Sequence, residues 1–122
     1  MNIRERNNGL HISVEINNSL VVNANPILLE SLISNLIVNS IRHNRDNGLI
    51  SITVSENVFS IKNTGNTTSL DESKIFRRFS RPSEEKKGNG LGLSIVSQTC
   101  LFHGWKIEYE YLDKLHTFVV WF

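Results

Sequence analysis

Four polar side chains recur at helical spacing within residues 35–44, in a segment that is otherwise mainly apolar. Asn35 and Asn39 are four residues apart, and Arg42 and His43 continue the same helix face. An amide oxygen is a suitable ligand for Mg2+, a guanidinium binds phosphate oxygens, and an imidazole ring can stack on a nucleobase. This polar stripe fits a nucleotide site, although two buried asparagines that bond to loop backbone would give the same spacing.

Three glycines, Gly88, Gly90 and Gly92, occupy alternate positions directly before a second helical pattern. Glycine lets backbone amides approach an anion, and a helix N-terminus presents N–H groups with a favourable dipole. A phosphate site is the natural use of this segment, and a flexible hinge is the alternative. It is not a dinucleotide-binding fingerprint, because no strand leads into it, nor a Walker loop, because no Gly-Lys-Ser/Thr follows.

Two weaker signals lie between these motifs. Asn63 ends a strand-like segment and Gly65 follows it, so the amide could hydrogen-bond an adenine edge while the glycine permits close approach. Ordinary turn chemistry produces the same residues. Residues 75–81 combine two phenylalanines, which could anchor a loop, with arginines that could face phosphate. A solvated basic surface is the alternative for this second segment.

The composition is that of one globular domain. The chain has 122 residues, of which 39% are hydrophobic and 20% charged, with a formal net charge of +1. Neither disorder nor bulk attraction to nucleic acid is expected from these values. A lone cysteine, Cys100, excludes an internal disulfide and favours a reducing compartment. No apolar run approaches the roughly 20 residues that cross a bilayer, and no signal peptide is recognisable.

Hydrophobic periodicity predicts two helices and six strands. The first helix begins at Pro26 with Asn25 as its cap and runs to about residue 43, and the second covers residues 90–102. A polar, glycine-punctuated loop fills residues 63–90. The order of elements predicts an α+β sandwich, in which helices pack on one face of a mixed sheet. The predicted strands are His11–Ile16, 20–22, Leu49–Ser55, 57–62, 105–111 and 117–122, with the third and fourth paired as a hairpin.

In their order and spacing, the four motifs resemble the N, G1, F and G2 boxes of histidine-kinase catalytic domains. The motifs are Asn35-x-x-x-Asn39 with Arg42-His43, then Asn63-x-Gly65, Phe76-x-x-Phe79, and Gly88-x-Gly90-Leu91-Gly92-Leu93. The resemblance implies the Bergerat (GHKL) ATP-binding fold, a two-layer α/β sandwich. It also implies that residues 1–122 form a single catalytic domain with an ATP lid at about residues 64–90.

The resemblance implies a role for each matching position. Asn39 is implied as the Mg2+ ligand, with Asn35 beside it. Arg42 is implied as a phosphate contact and His43 as a ring that packs on adenine. The remaining implied ATP contacts are Asn63 and Gly65 at the base, Arg78 and Arg81 of the F box, and Gly88, Gly90, Leu91 and Gly92 at the end of the lid. Asn35, Asn39 and Arg78 are the implied catalytic residues, and Arg78 is the better candidate for the terminal phosphate.

The family's activity is transfer of the ATP γ-phosphate to a histidine on a separate dimerisation and phosphoacceptor domain, in two-component signalling. The resemblance therefore implies ATP and Mg2+ as cofactors, and that acceptor domain and a response regulator as partners. It implies no nucleic acid, a monomeric isolated domain, and a cytoplasmic location within a membrane-anchored parent. The acceptor histidine is expected elsewhere, because His11 and His116 fit surface positions on strands and His103 fits a helix end.

Three departures from the family pattern bear on these roles. Asn63 replaces the usual aspartate, Thr67 stands where a second glycine is expected, and Thr117 is offset by one residue from the family's final motif. A free asparagine amide can rotate by half a turn, which would soften the rejection of guanine. Restoring the charge in Asn63→Asp is therefore expected to tighten ATP binding by up to about tenfold.

Two other functions remain open on sequence grounds. Hydrolysing ATPases of the same superfamily carry a glutamate base where this chain has Asn35, so water activation has no evident agent here. A degenerate domain that senses nucleotide or docks partners without phosphotransfer is the second alternative.

Overall fold

In the part of the chain that the structure describes, alternating apolar residues build five strands, and two apolar helices cover the sheet that they form. The computed structural model describes residues 9–65 and 92–122. The elements in chain order are β1 (His11–Ile16), α1 (Pro26–Arg42), β2 (Leu49–Ser55), β3 (Val58–Thr64), α2 (Gly92–His103), β4 (Lys106–Leu112) and β5 (Leu115–Trp121).

The strands form one mixed sheet in the order β1-β2-β3-β5-β4. β1 pairs in parallel with β2, which requires the crossover that α1 supplies, and the other three pairings are antiparallel. β2 and β3 form the predicted hairpin, and β4 and β5 form a second one. The tight turns at Asn57 and at Asp113-Lys114 have positive φ values of 57°, 55° and 65°.

One face of the sheet is apolar, and the helices pack against it. Ile61 stands between Ile52 and Phe118 in the register, and Phe118 stands opposite Tyr109 on β4. These four residues are buried with Leu32 and Leu36 of α1 and Val96 and Cys100 of α2. The opposite face carries Ser51, Ser60, Lys62, Thr117 and Glu110. The predicted fold class, an α+β sandwich with a mixed sheet and helices on one face, is confirmed.

Helix α1 starts where local chemistry predicts. The Asn25 side chain accepts hydrogen bonds from the backbone N–H groups of Ile27 and Leu28, at 3.0 and 3.1 Å, and Pro26 opens the helix. His103, the last residue of α2, donates from Nδ1 to the Thr99 carbonyl at 2.8 Å. Its Nε2 accepts from the Asn25 backbone N–H at 3.2 Å. The start of α1 is thus bonded to the end of α2.

Three predictions about individual elements are wrong. Residues 20–22 form no strand, because three residues offer few ladder bonds and Val21 is 94% exposed. The helical spacing of Ile95, Val96 and Cys100 predicts that they share one face of α2, but Ile95 is 38% exposed whereas Val96 and Cys100 are buried. His116 is 6% exposed rather than on the surface, because β5 begins at residue 115 and gives His116 the inward orientation of Phe118.

Other expectations hold or lie outside the described residues. His11 is exposed on β1 and His103 ends α2, as expected. Nearly all of the expected lid, Phe76 and Phe79 lie outside the described residues. Neither described helix has both the length and the apolar character needed to cross a membrane.

Candidate functional site

Helix α1 carries four of the candidate residues. Asn35 and Asn39 are both half-buried one turn apart, Arg42 is the exposed last residue of the helix, and His43 is its C-cap. The His43 backbone N–H donates to the Asn39 carbonyl at 3.1 Å, which continues the helical bonding past Arg42. The predicted polar stripe is therefore a continuous feature of one helix.

Asn35 joins α1 to the start of α2. Its Nδ2 donates to the Ser31 carbonyl at 2.7 Å and to Ser31 Oγ at 3.1 Å, so its Oδ1 is oriented away from Ser31. A Cβ added at Gly92 would lie 2.9 Å from that Oδ1. Gly92 is the first residue of α2 and half-buried. The N-terminus of α2, with its anion-favouring dipole, therefore lies beside the polar stripe of α1.

Gly65 lies at the opposite end of the stripe. A Cβ there would lie 2.8 Å from the His43 carbonyl oxygen and 3.2 Å from Cδ2 of His116. Only glycine allows the end of β3 to approach both the C-cap of α1 and the start of β5. His116 in turn has Nδ1 2.7 Å from the Tyr109 hydroxyl.

Asn63 is bonded to α1 through Ser40. The Ser40 hydroxyl donates to Asn63 Oδ1 at 3.3 Å, and Asn63 Nδ2 donates to the Thr64 carbonyl at 2.7 Å. Both side chains are buried, with Asn63 2% exposed. All seven described candidates therefore either belong to α1 or its cap, or are in contact with it or bonded to it.

Five candidates lie outside the described residues: Arg78, Arg81, Gly88, Gly90 and Leu91. Their predicted roles stay predictions.

The pattern of residues 24–122 matches the family described as histidine kinase-, DNA gyrase B- and HSP90-like ATPases. The match covers α1, the hairpin of β2 and β3, α2 and the two C-terminal strands. The chain belongs to this ATPase family.

Individual relatives place the chain beside sensor kinases within the family. It is 39% identical over 101 residues to the sensor histidine kinase HprS of Escherichia coli (strain K12), covering 78% of this chain and 22% of HprS. It is 33% identical over 86 residues to the sensor protein QseC of the same strain, covering 69% of this chain and 19% of QseC. The chain thus spans about a fifth of the length of these two curated relatives.

Solved structures agree with the fold of the ATPase family. The catalytic domain of histidine kinase ThkA superposes with a TM-score of 0.80 at 28% identity, covering 97% of this chain and 80% of that one. The structure of the cytoplasmic segment of QseC gives a TM-score of 0.72 at 18% identity, covering 98% and 64% of the two chains. The second likeness concerns the fold only.

A hydrogen-bond network that sequence reasoning missed fixes the end of α1 in this member of the ATPase family. Asn44 Nδ2 donates to the carbonyls of Ser40 and Leu49, at 3.2 and 3.0 Å. The Thr64 hydroxyl donates to Asn44 Oδ1 at 2.6 Å and accepts from the Leu49 backbone N–H at 2.9 Å. A Cβ at Gly48 would overlap both side chains. Asn44 directly follows the first motif and Thr64 is the middle residue of Asn63-x-Gly65, but no local pattern pairs them across 20 residues.

The described residues include few side-chain groups arranged to bind a metal ion or to transfer a proton. No group of three or more His, Cys, Asp or Glu side chains in residues 9–65 and 92–122 is arranged to hold a metal ion. In the polar stripe, the half-buried amides of Asn35 and Asn39 carry the oxygen donors that suit a hard cation. Burial raises the pKa of the Cys100 thiol to about 11, so Cys100 is a packing residue of α2.

Proposed function

We propose that this chain is the ATP-binding catalytic domain of a sensor histidine kinase, which transfers the γ-phosphate of ATP to a histidine on a separate phosphoacceptor domain. The observation that carries the proposal is the convergence on α1. Gly92 is in contact with Asn35, Asn63 is bonded to Ser40, and Gly65 lies against the His43 carbonyl. Three segments that are distant in sequence therefore reach the same helix: Gly92 at Asn35 of the polar stripe, Asn63 at Ser40 on the buried face, and Gly65 at the C-cap.

The chemistry of the polar stripe of α1 suits phosphoryl transfer, which needs positioning and charge neutralisation more than covalent groups. Arg42 supplies a cation in the last turn of α1, and the start of α2 supplies backbone N–H groups. The half-buried Asn39 amide would hold Mg2+ together with the phosphates of ATP, and the metal would neutralise phosphate charge. Mg2+ is commonly bound through one or two protein oxygens plus substrate phosphates, so one amide is a sufficient protein contribution.

Base recognition is assigned to the other end of the helix, where Asn63, Gly65 and His43 meet. The proposal extends to residues outside the described part of the chain. Arg78 is assigned to binding the terminal phosphate, and Arg81 to neutralising the charge of that phosphate. A lid is assigned to about residues 64–90, and its closing end consists of Gly88, Gly90 and Leu91. In this assignment residues 1–122 act as one catalytic domain.

Asn35 favours a kinase over a hydrolysing ATPase. Its amide has no basic atom, and its Nδ2 is already bonded to Ser31, so it cannot take a proton from water. The proposed acceptor is a histidine of the dimerisation domain, and a response regulator is the proposed next recipient. We further propose a cytoplasmic location, which is supported by the relationship to QseC, whose solved segment is cytoplasmic.

Transfer between separately prepared domains tests this function. The chain is incubated with γ-labelled ATP and Mg2+, with and without the dimerisation domain of a related sensor kinase. Acid-labile label is expected on the acceptor and not on this chain. An acceptor in which the phosphorylated histidine is replaced by glutamine is the control and should remain unlabelled.

Two results would contradict the proposal. ATP binding without transfer to any of several related acceptors would identify a degenerate nucleotide-sensing domain. Stable label on a histidine of the chain itself would show that it is not simply a donor.

A further inference from the structure

We propose that strand β1 is a self-association surface, at which two copies of this chain pair antiparallel about a two-fold axis at Val14. The partner is a second copy of the chain, and the two sheets join into one continuous sheet. The proposal does not depend on the ATP site. It differs from the monomeric isolated domain that the family resemblance implies, so the oligomeric state distinguishes the two expectations.

The backbone of β1 has one open edge. Among the described residues, β1 is the outermost strand and pairs with β2 alone. The N–H groups of His11 and Asn17 donate to carbonyls on the β2 side, at 2.9 and 2.8 Å. Successive residues of a strand direct their N–H and C=O groups to opposite sides, so the odd-numbered residues bond to β2. The backbone groups that point outward are therefore those of Ile12, Val14 and Ile16.

The side chains along this open edge are apolar. Val14 and Ile16 are exposed on the face that continues Ile52 and Val54 of β2. Natural edge strands are usually protected by a lysine, a proline or a bulge. The sequence of β1, HISVEI, has no lysine or proline, and the strand pairs residue for residue with β2. Its one acidic residue, Glu15, belongs to the opposite face, so β1 itself does not oppose the approach of another strand.

Symmetry restricts how two such edges can pair. A closed contact between identical surfaces has two-fold symmetry. An axis perpendicular to the sheet makes the two strands antiparallel and keeps their apolar faces on the same side. Pairing Val14 with Val14 of the second copy then places Ile12 of each copy opposite Ile16 of the other. Every outward N–H and C=O group of β1 obtains a backbone partner, and apolar side chains meet apolar side chains.

Other registers are less favourable. A shift by two residues in one direction pairs Ser13 with Ser13 and moves the outward groups of Ile16 past the start of the partner strand at His11. The opposite shift places Glu15 directly opposite Glu15, where like charges are destabilising. A shift by one residue would set outward groups opposite residues that bond to β2. The sequence of β1 is therefore complementary to itself in one register.

Sedimentation equilibrium of the whole chain is the first test. Because the formal net charge is only +1, repulsion between copies is weak, and the wild type should show a concentration-dependent dimer. Val14→Lys sets two like charges on the axis and should raise the dissociation constant of the dimer by about tenfold or more. Val21→Lys is the matched control and should dimerise like the wild type, because Val21 is exposed and belongs to no strand.

A mixture of charge variants separates loss of the interface from loss of the fold. Val14→Glu alone should be as weakly associated as Val14→Lys. An equimolar mixture of the two variants should form heterodimers, because opposite charges then meet on the axis. A variant that had unfolded would not be rescued in this way.

Cysteine cross-linking tests the register. Val14→Cys should form an intermolecular disulfide, because hydrogen-bonded antiparallel pairs have Cα atoms about 5.5 Å apart, within the range that a disulfide spans. Ser13→Cys and Glu15→Cys report the two shifted registers and should cross-link more slowly. The native Cys100 is buried, so the wild type should not cross-link.

The proposal would be overturned by a wild type that remains monomeric up to its solubility limit. A dimer that persists in Val14→Lys, or that Val21→Lys weakens equally, would place the contact elsewhere than β1. Faster cross-linking of Ser13→Cys or Glu15→Cys would show that Val14 is not on the axis. If the chain is monomeric and Val14→Lys instead weakens binding of an acceptor domain, the edge serves that domain rather than a second copy.

Discussion

The Tyr109 hydroxyl and Nδ1 of His116 lie 2.7 Å apart in the interior, on neighbouring strands β4 and β5. Their rings are stacked at 25° with centroids 5.9 Å apart, and Tyr109 also packs on Phe118. The pair forms a polar connection inside an apolar layer. It lies directly behind Gly65, so it supports the strand end that approaches the C-cap of α1.

Removal of one partner should therefore be costly. Tyr109→Phe keeps the ring and removes the hydroxyl, which leaves a buried imidazole nitrogen without that bond, at a cost of about 1–3 kcal/mol in unfolding free energy. Urea denaturation of Tyr109→Phe, of His116→Leu and of the double variant Tyr109→Phe/His116→Leu measures the effect. The double variant should lose less than the sum of the two single variants. Strict additivity would mean that the hydrogen bond contributes nothing.

Gly92→Ala should destabilise the junction of the two helices. The new Cβ would lie 2.9 Å from Asn35 Oδ1, and the two bonds to Ser31 prevent the amide from moving freely. We expect a loss of about 1 kcal/mol, despite the better helix propensity of alanine. Asn35→Ala in the same chain removes the clashing oxygen and should recover part of the loss. Equal effects of Gly92→Ala in both backgrounds would rule out this contact as the cause.

Alkaline pH should weaken the fold through Cys100. Burial raises its pKa from 9.0 to about 11, so the folded chain holds the thiol proton more tightly than the unfolded chain. This contribution to stability is complete below pH 9 and is lost as the pH rises toward 11. Unfolding free energies of the wild type and Cys100→Ala between pH 8 and 11 isolate the effect, because other side chains titrate in both proteins. Parallel curves for the two proteins would contradict it.

Asn39→Ala should abolish the gain in ATP affinity that Mg2+ provides while leaving the thermal unfolding midpoint nearly unchanged. The substitution deletes an amide oxygen from a half-buried position rather than a packed apolar group. Calorimetric titrations with Mg2+ and with EDTA compare the variant with Ser34→Ala on the same helix. If the wild type binds ATP equally well with Mg2+ and with EDTA, Asn39 is not a ligand of Mg2+ in the ATP complex.

Local signals in the sequence were enough to predict the frame of the fold. The cap at Asn25-Pro26 and the hairpin of β2 and β3 depend on neighbours within a few residues, and both are present as expected. Residues 20–22 have strand-forming side chains, but a strand also needs a partner edge, which no local pattern reveals. His116 could have been placed inside by extending the alternation of Phe118 and Val120 back by two residues.

Prediction of the candidate site was limited by distance along the chain. The spacing of Asn35, Asn39 and Arg42 follows from helix geometry, so the stripe could be drawn from sequence. The bond between Ser40 and Asn63 joins residues 23 apart and depends on how α1 packs on β3. Sequence reasoning therefore treated the Asn63 amide as free to rotate, whereas in the structure both ends of the amide are hydrogen-bonded.

In the order of the sheet, β1 and β4 are the two edge strands, and they differ in how readily they should associate with another molecule. On β4 the exposed side chains include Lys106, Glu108 and Glu110, and charges of this kind discourage another strand from docking. On β1, Val14 and Ile16 are 60% and 66% exposed on the side that continues the core face of β2. In concentrated solution, β1 is therefore the edge at which self-association of this domain is expected to begin, and a lysine at either position should raise the solubility limit.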